Sequence, residues 1–230
     1  MGQQKLVRFE AIKSFDNVFQ FPENQAGNWK NFFKNDNPIT LELACGKGDY
    51  AVAMARMYPE KNFVGVDIKG NRMYIGAKTA IKESLPNVAF LRTQILDLEK
   101  YFAKNEIKEI WITFPDPFLR ASKAGKRLTS ARFLSIYQRL LPKGAIINLK
   151  TDSTELYEFT LETIAEQGCI IQENITNVYA NGHPEGLLGI QTFYEKMHLE
   201  DNRIIKFVSF QLPDHPIVIP KKKKEDTTSV

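Results

Sequence analysis

The chain has 230 residues, 43% of them hydrophobic and 25% charged, with a formal net charge of +4 from 31 basic and 27 acidic side chains. That balance excludes disorder of the whole chain, and no apolar run approaches the ~18 residues a membrane-spanning helix needs. Two cysteines, Cys45 and Cys169, are too few for a disulfide framework and form no paired metal motif, so a reducing cytoplasm is expected.

The first residues, MGQQKLVRFEAIK, have no apolar core behind their charges and do not read as a secretory signal. Across residues 1–37, Phe9, Phe15, Phe19 and Phe21 stand among polar residues without a period. This predicts a partly irregular N-terminal extension that packs on a domain without forming one. From Pro38 the pattern turns regular. Residues 39–44 read as a buried strand, 49–57 as a helix, 62–68 as a strand and 71–84 as a helix stopped by Pro86. Residues 88–94 and 108–114 are two more strands, the second running into the turn FPDPF. An amphipathic helix follows over 130–141, ended by Pro142 and Gly144. Then come a strand at 145–151, a helix at 154–166 with Gly168 as its C′ residue, and strands at 169–179 and 203–212. One domain is thus expected over 38–220, with the Lys221–Lys224 run opening a basic flexible tail over 221–230.

Strands alternating with helices of about 10–15 residues predict an α/β fold built from βαβ units. No comparably clear helix separates the last two strands, so these are expected to pair antiparallel at one edge. The result is a Rossmann-like, seven-stranded, mainly parallel sheet with helices on both faces. That arrangement suits a methyltransferase better than a dinucleotide dehydrogenase, whose sheet usually continues as six parallel strands.

Four segments carry chemistry. In LELACGKGDYA, Gly46 and Gly48 form a turn between strand and helix where a cofactor can approach the backbone. Glu42 precedes that turn; a carboxylate there suits the cationic methionyl end of S-adenosylmethionine and would repel a pyrophosphate. In VGVDIKGNR, Asp67 ends a strand where an acidic residue accepts hydrogen bonds from ribose hydroxyls. At the end of the third strand, Gln94 is preferred over Asp97 for the adenine edge, Asp97 suiting the start of the next helix. In ITFPDPFLRASKAGKRL, two prolines hold Asp116 in a rigid extended turn at the rim where α/β sheets bind ligands. Rigid placement of one carboxylate is what catalytic positioning requires, and Arg120, Lys123, Lys126 and Arg127 after it suit phosphate contacts.

With these motifs in view, residues 38–197 resemble the bacterial tRNA (guanine-N7-)-methyltransferases. Glu42-Leu-Ala-Cys-Gly46-Lys-Gly48 matches the family's first motif. Phe114-Pro-Asp-Pro-Phe-Leu-Arg120 matches its FPDPW-x-K signature, with the basic pair at Lys126-Arg127. Thr151-Asp152, followed by Tyr157, and Thr192-Phe193-Tyr194-Glu195 match two later motifs. Ala44 stands at a usual glycine, Phe118 at a Trp, Arg120 at a Lys and Gln94 at an acidic residue. The resemblance implies a class I methyltransferase using S-adenosyl-L-methionine on tRNA. By it, Glu42, Gly46, Gly48, Asp67, Gln94 and Asp116 line the cofactor site, with Asp116 as the catalytic position. Arg120, Asp152, Thr192, Phe193, Tyr194 and Glu195 hold the substrate. Asp116, Asp152 and Glu195 are the carboxylates expected to read the guanine edge. A monomer or homodimer acting without an accessory subunit is expected.

His183, His198 and His215 lack metal-ligand spacing and read as surface or loop residues, so no metal is expected. Cys169 reads as the start of a buried strand, and Trp29 and Trp111 as packing residues. A nicotinamide-dependent oxidoreductase would share Gly46, Gly48 and Asp67 but leaves Pro-Asp-Pro without a role. A methyltransferase on another substrate, or a non-catalytic RNA-binding protein with the same fold, would also be compatible with these segments.

Overall fold

The computed structural model describes residues 2–220, so the expected basic tail at 221–230 lies outside the described residues. Eight strands form one sheet in the order β1-β4-β3-β2-β5-β6-β8-β7. They are β1 (Val18–Gln20), β2 (Ile39–Leu43), β3 (Asn62–Asp67), β4 (Val88–Arg92), β5 (Ile107–Thr113), β6 (Ile146–Thr151), β7 (Ile170–Ile175) and β8 (Lys206–Gln211). The first six are parallel, and β8 runs antiparallel between β6 and β7. The terminal antiparallel pair is therefore as the sequence predicts.

The seven-stranded expectation is corrected by β1, which lies in the segment read as an outer extension. Val18, Phe19 and Gln20 pair in parallel with Phe90, Leu91 and Arg92. Three residues are too few to show a period, and only the free edge of β4 gives them a partner. Before and after this strand in the chain come α1 (Gly2–Ala11) and α2 (Trp29–Phe33). Trp29 is fully buried, stacked 5.2 Å from Phe102, and its indole N–H donates to the Tyr101 carbonyl at 2.9 Å.

Alternation along the parallel strands sends side chains to two separate cores, because successive Cβ atoms point to opposite faces. Leu41, Leu43, Val64, Leu91, Ile110 and Ile112 face one layer. That layer is closed by α2, α5 (Ala131–Leu140) and α6 (Thr154–Glu166). Phe63, Phe90 and Trp111 face the other, closed by α3 (Asp49–Met57) and α4 (Gly70–Lys82). Helices thus cover both faces, as expected. β7 departs from expectation: it is an exposed edge strand, with Ile170 58% and Ile171 45% exposed. No helix among the described residues is long and apolar enough to cross a membrane.

Candidate active site

Strand order reverses between β2 and β5, and the cleft where ligands bind such sheets lies beyond their C-terminal ends. A cleft of about 540 Å³ opens there. Its floor is the turn joining β2 to α3, where Ala44, Gly46 and Gly48 all take positive φ, at +57°, +54° and +73°. A Cβ on Gly48 would sit 2.3 Å from the Phe90 ring, and one on Gly76 would sit 2.6 Å from the Lys47 carbonyl. Helix α4 therefore lies hard against the turn. Asp67, 8% exposed, ties the turn to β3: its carboxylate accepts from Gly46 N–H at 3.0 Å and Lys69 N–H at 2.8 Å. Each carboxylate oxygen keeps further acceptor capacity, so the group can still take a hydroxyl from the cleft.

Glu42 is 1% exposed and lines the same cleft. It accepts from the Ala51 N–H at 2.9 Å and the Thr113 hydroxyl at 3.0 Å. Burial pushes its carboxyl up to about 8, against the lowering effect of those two donors. A cationic ligand arriving beside it would restore the ionised form. Gln94, at the end of β4, also lines the cleft, whereas Asp97 is paired with Lys100 at 2.8 Å. These surroundings fit an adenosyl and methionyl ligand: a close-approach glycine turn, a strand-end carboxylate and a buried acid awaiting a cation.

A second cleft, of about 450 Å³, adjoins the first. Asp116, Phe114, Pro115, Arg72 and Tyr194 line both. Asp116 is exposed at this junction. Deeper in the second cleft Asp152, half-buried, accepts from Arg203 at 2.8 Å, with His198 Nε2 3.6 Å away. His198 is therefore not the surface histidine expected. It sits on α7 (Phe193–Glu200), its ring 5.8 Å from that of Phe114, and lines the second cleft. Its sequence context carries no signal for this, because the contact joins segments far apart in the chain.

Thr192 is the N-cap of α7, its hydroxyl accepting from Glu195 N–H at 3.1 Å. Thr192 and Tyr194 reach the first cleft. Glu195 does not line either cleft. Its side chain is fully buried and paired at 2.6 Å with Lys150, equally buried, and the Tyr179 hydroxyl donates to it at 2.8 Å. Burial lowers the Lys150 ammonium from its ordinary range, and Glu195 pulls it back up. Lys150 also donates to the Leu188 and Ile190 carbonyls, at 2.6 and 3.1 Å. This lysine, which sequence reasoning missed, fastens the segment before Thr192 to β6. The turn between β2 and α3 and the first residues of α3 hold the same segment from the other side. Tyr50 donates to the Leu187 carbonyl, Asp49 accepts from Phe193 N–H at 2.9 Å, and the Lys47 ammonium lies 3.0 Å from the Phe193 ring centre.

Arg120 and Lys123 are exposed outside both clefts, and Lys126 is exposed at the rim of the first. Arg127, expected with them as a phosphate contact, is instead 7% exposed and turned inward. Among the described residues, no cluster of three or more His, Cys, Asp or Glu side chains could hold a metal ion.

Residues 36–207 match a family model described as "Putative methyltransferase". Among curated proteins, the tRNA (guanine-N(7)-)-methyltransferase of Porphyromonas gingivalis is 46% identical over 87% of this chain and 86% of that relative. The protein of the same name from Bacteroides fragilis is 43% identical over 93% of this chain and 87% of its own length. Among solved structures, the 16S rRNA methyltransferase KamB superposes with a TM-score of 0.63 at 16% identity, covering 85% of this chain and 98% of that one. A mutant 16S rRNA (adenine(1408)-N(1))-methyltransferase from Catenulisporales acidiphilia, solved with its cosubstrate SAM, gives 0.57 at 16% identity, covering 83% and 93%. Both share the fold.

Proposed function

Because the chain belongs to the tRNA (guanine-N(7)-)-methyltransferase family, we propose that it transfers a methyl group from S-adenosyl-L-methionine to N7 of guanine 46, in the variable loop of tRNA. The observation that carries this reading is the shared wall of the two clefts, with Asp116 at the junction. One cleft fits the cofactor and the other admits an unstacked base. A cytoplasmic location goes with the reading, and the two free thiols, Cys45 and Cys169, are compatible with it.

Bound in the first cleft, S-adenosylmethionine would supply an electrophilic methyl group on a sulfonium. Glu42 would face its cationic end, Asp67 its ribose hydroxyls and Gln94 its adenine edge. Guanine N7 already carries a free lone pair, so the protein needs no general base to create the nucleophile. Its task is alignment, which is mainly a matter of proximity. Asp116 and Asp152 would accept hydrogen bonds from N1–H and N2–H₂ on the Watson–Crick edge, a donor pattern adenine lacks. The same carboxylates would stabilise the positive charge that the ring gains. Glu195 takes a different part, holding Thr192 and Tyr194 in place through Lys150. Arg120, Lys123 and Lys126 would meet tRNA phosphates, making binding salt-dependent.

The test is methyl transfer from labelled S-adenosylmethionine to two tRNA transcripts, one with the variable-loop guanine and one with 7-deazaguanine in its place. Label on the first alone is expected. Equal label on both would move the target atom elsewhere. With the first transcript, Asp116→Asn is expected to lower kcat by about 10²-fold; an unchanged rate would remove Asp116 from the reacting centre.

A further inference from the structure

Arg127 makes none of the ion pairs formed among the described residues. A desolvated cation without a counter-ion is unfavourable unless polar partners offset it. Here the partners are backbone carbonyls. Nε donates to Pro117 at 3.0 Å and Nη2 to Phe118 at 3.3 Å, while the guanidinium lies 4.4 Å from the Phe159 ring centre. Among the described residues, these are the only hydrogen bonds made to the backbone of residues 115–118.

That stretch needs holding. Phe114 and Phe118, on either side of the Pro-Asp-Pro turn, take φ of +48° and +44°. Bulky residues rarely occupy the left-handed region, and they stay there only where the surroundings over-determine them. At one end the tie is the Phe114 N–H, which donates to the Lys150 carbonyl of β6 at 2.9 Å. At the other end the tie is Arg127. Prolines fix two of the turn's φ angles but leave its direction relative to the sheet free.

We infer that Arg127 is a positioning residue that clamps the Pro117–Phe118 carbonyls and thereby aims Asp116 at the junction of the two clefts. This rests on the proposed methyl transfer and assigns Arg127 no contact with RNA.

The experiment uses full-length Arg127→Ala and Arg127→Lys. Three quantities are measured: S-adenosylmethionine affinity by calorimetry, tRNA affinity against salt, and single-turnover methyl transfer. Arg127→Ala is expected to slow methyl transfer by about 10²-fold, the effect of a small misplacement at a reacting centre. Cofactor affinity should stay within about 3-fold, which separates lost positioning from lost binding. The salt slope of tRNA binding should not move. Arg127→Lys should recover less than about tenfold of the rate, because an ammonium cannot span two carbonyls as a planar fork does. An unchanged rate with a slope shallower by about one would make Arg127 a phosphate contact and overturn the inference. An unchanged rate with an unchanged slope would overturn it too. If Arg127→Ala loses its circular dichroism, Arg127→Lys decides alone, and a wild-type rate in that variant would sink the clamp. Failure of the wild-type protein to methylate tRNA would instead overturn the proposed function.

Discussion

Ala44 shows how a single side chain reports the shape of the turn between β2 and α3. At φ +57° its Cβ crowds its own backbone, an arrangement about 1–2 kcal/mol less favourable for a residue with a Cβ. This chain keeps a methyl group there, packed against the core. Ala44→Gly removes the strain but frees the unfolded chain, an opposing effect of about 0.4–1 kcal/mol. The expected outcome in urea unfolding is a stability unchanged or raised by up to about 1.5 kcal/mol. A clear loss would show that the methyl's packing outweighs the strain. Other single residues were legible only by type. Asp116 stands out between its prolines, and the Gly46 and Gly48 turn stands out after its strand. The inward turn of Glu195 and Arg127 did not, because Glu195 meets Lys150 from β6 and Arg127 meets carbonyls nine and ten residues upstream.

At the scale of elements, the long periodic segments form where their patterns put them, and the short ones depend on partners. Helix α5 follows an apolar stripe that includes Phe133, Leu134, Ile136, Tyr137 and Leu140, all buried. Strand β1, with three residues, has no such stripe and exists through its pairing with β4. It is anchored by α2, whose Trp29 packs against Phe19, Phe33 and Phe102. Trp29→Ala is therefore expected to lower unfolding stability by about 3–5 kcal/mol, as for other large core truncations. An extension merely resting on the outside would lose far less, so the urea midpoint distinguishes the two arrangements. Strand β7 departs in the opposite direction. Its β-branched residues read as buried, yet it takes the sheet edge because β8 inserts between it and β6.

For the whole molecule, Glu42 links the first cleft to global stability. Its carboxyl is held at about 8 in the fold against an ordinary 4.5. Between those values the native state keeps a proton that the unfolded state has lost, so this group makes stability fall as pH rises. Glu42→Gln is expected to flatten that fall: it should gain stability on the wild-type protein as pH rises toward 8, and bind S-adenosylmethionine less tightly. Parallel slopes for the two proteins would mean that Glu42 does not titrate in this range. The amino-acid sequence by itself determined the α/β class, the closing antiparallel pair and the two motifs at the ends of β2 and β5. Those depend on periodicity and on turn residues, which are local properties of the chain. Only the tertiary structure decided the eighth strand, the second cleft and its His198, and the buried pairing of Lys150 with Glu195. Each of these joins segments distant in sequence, and a buried charge finds its partner through packing that no local pattern encodes.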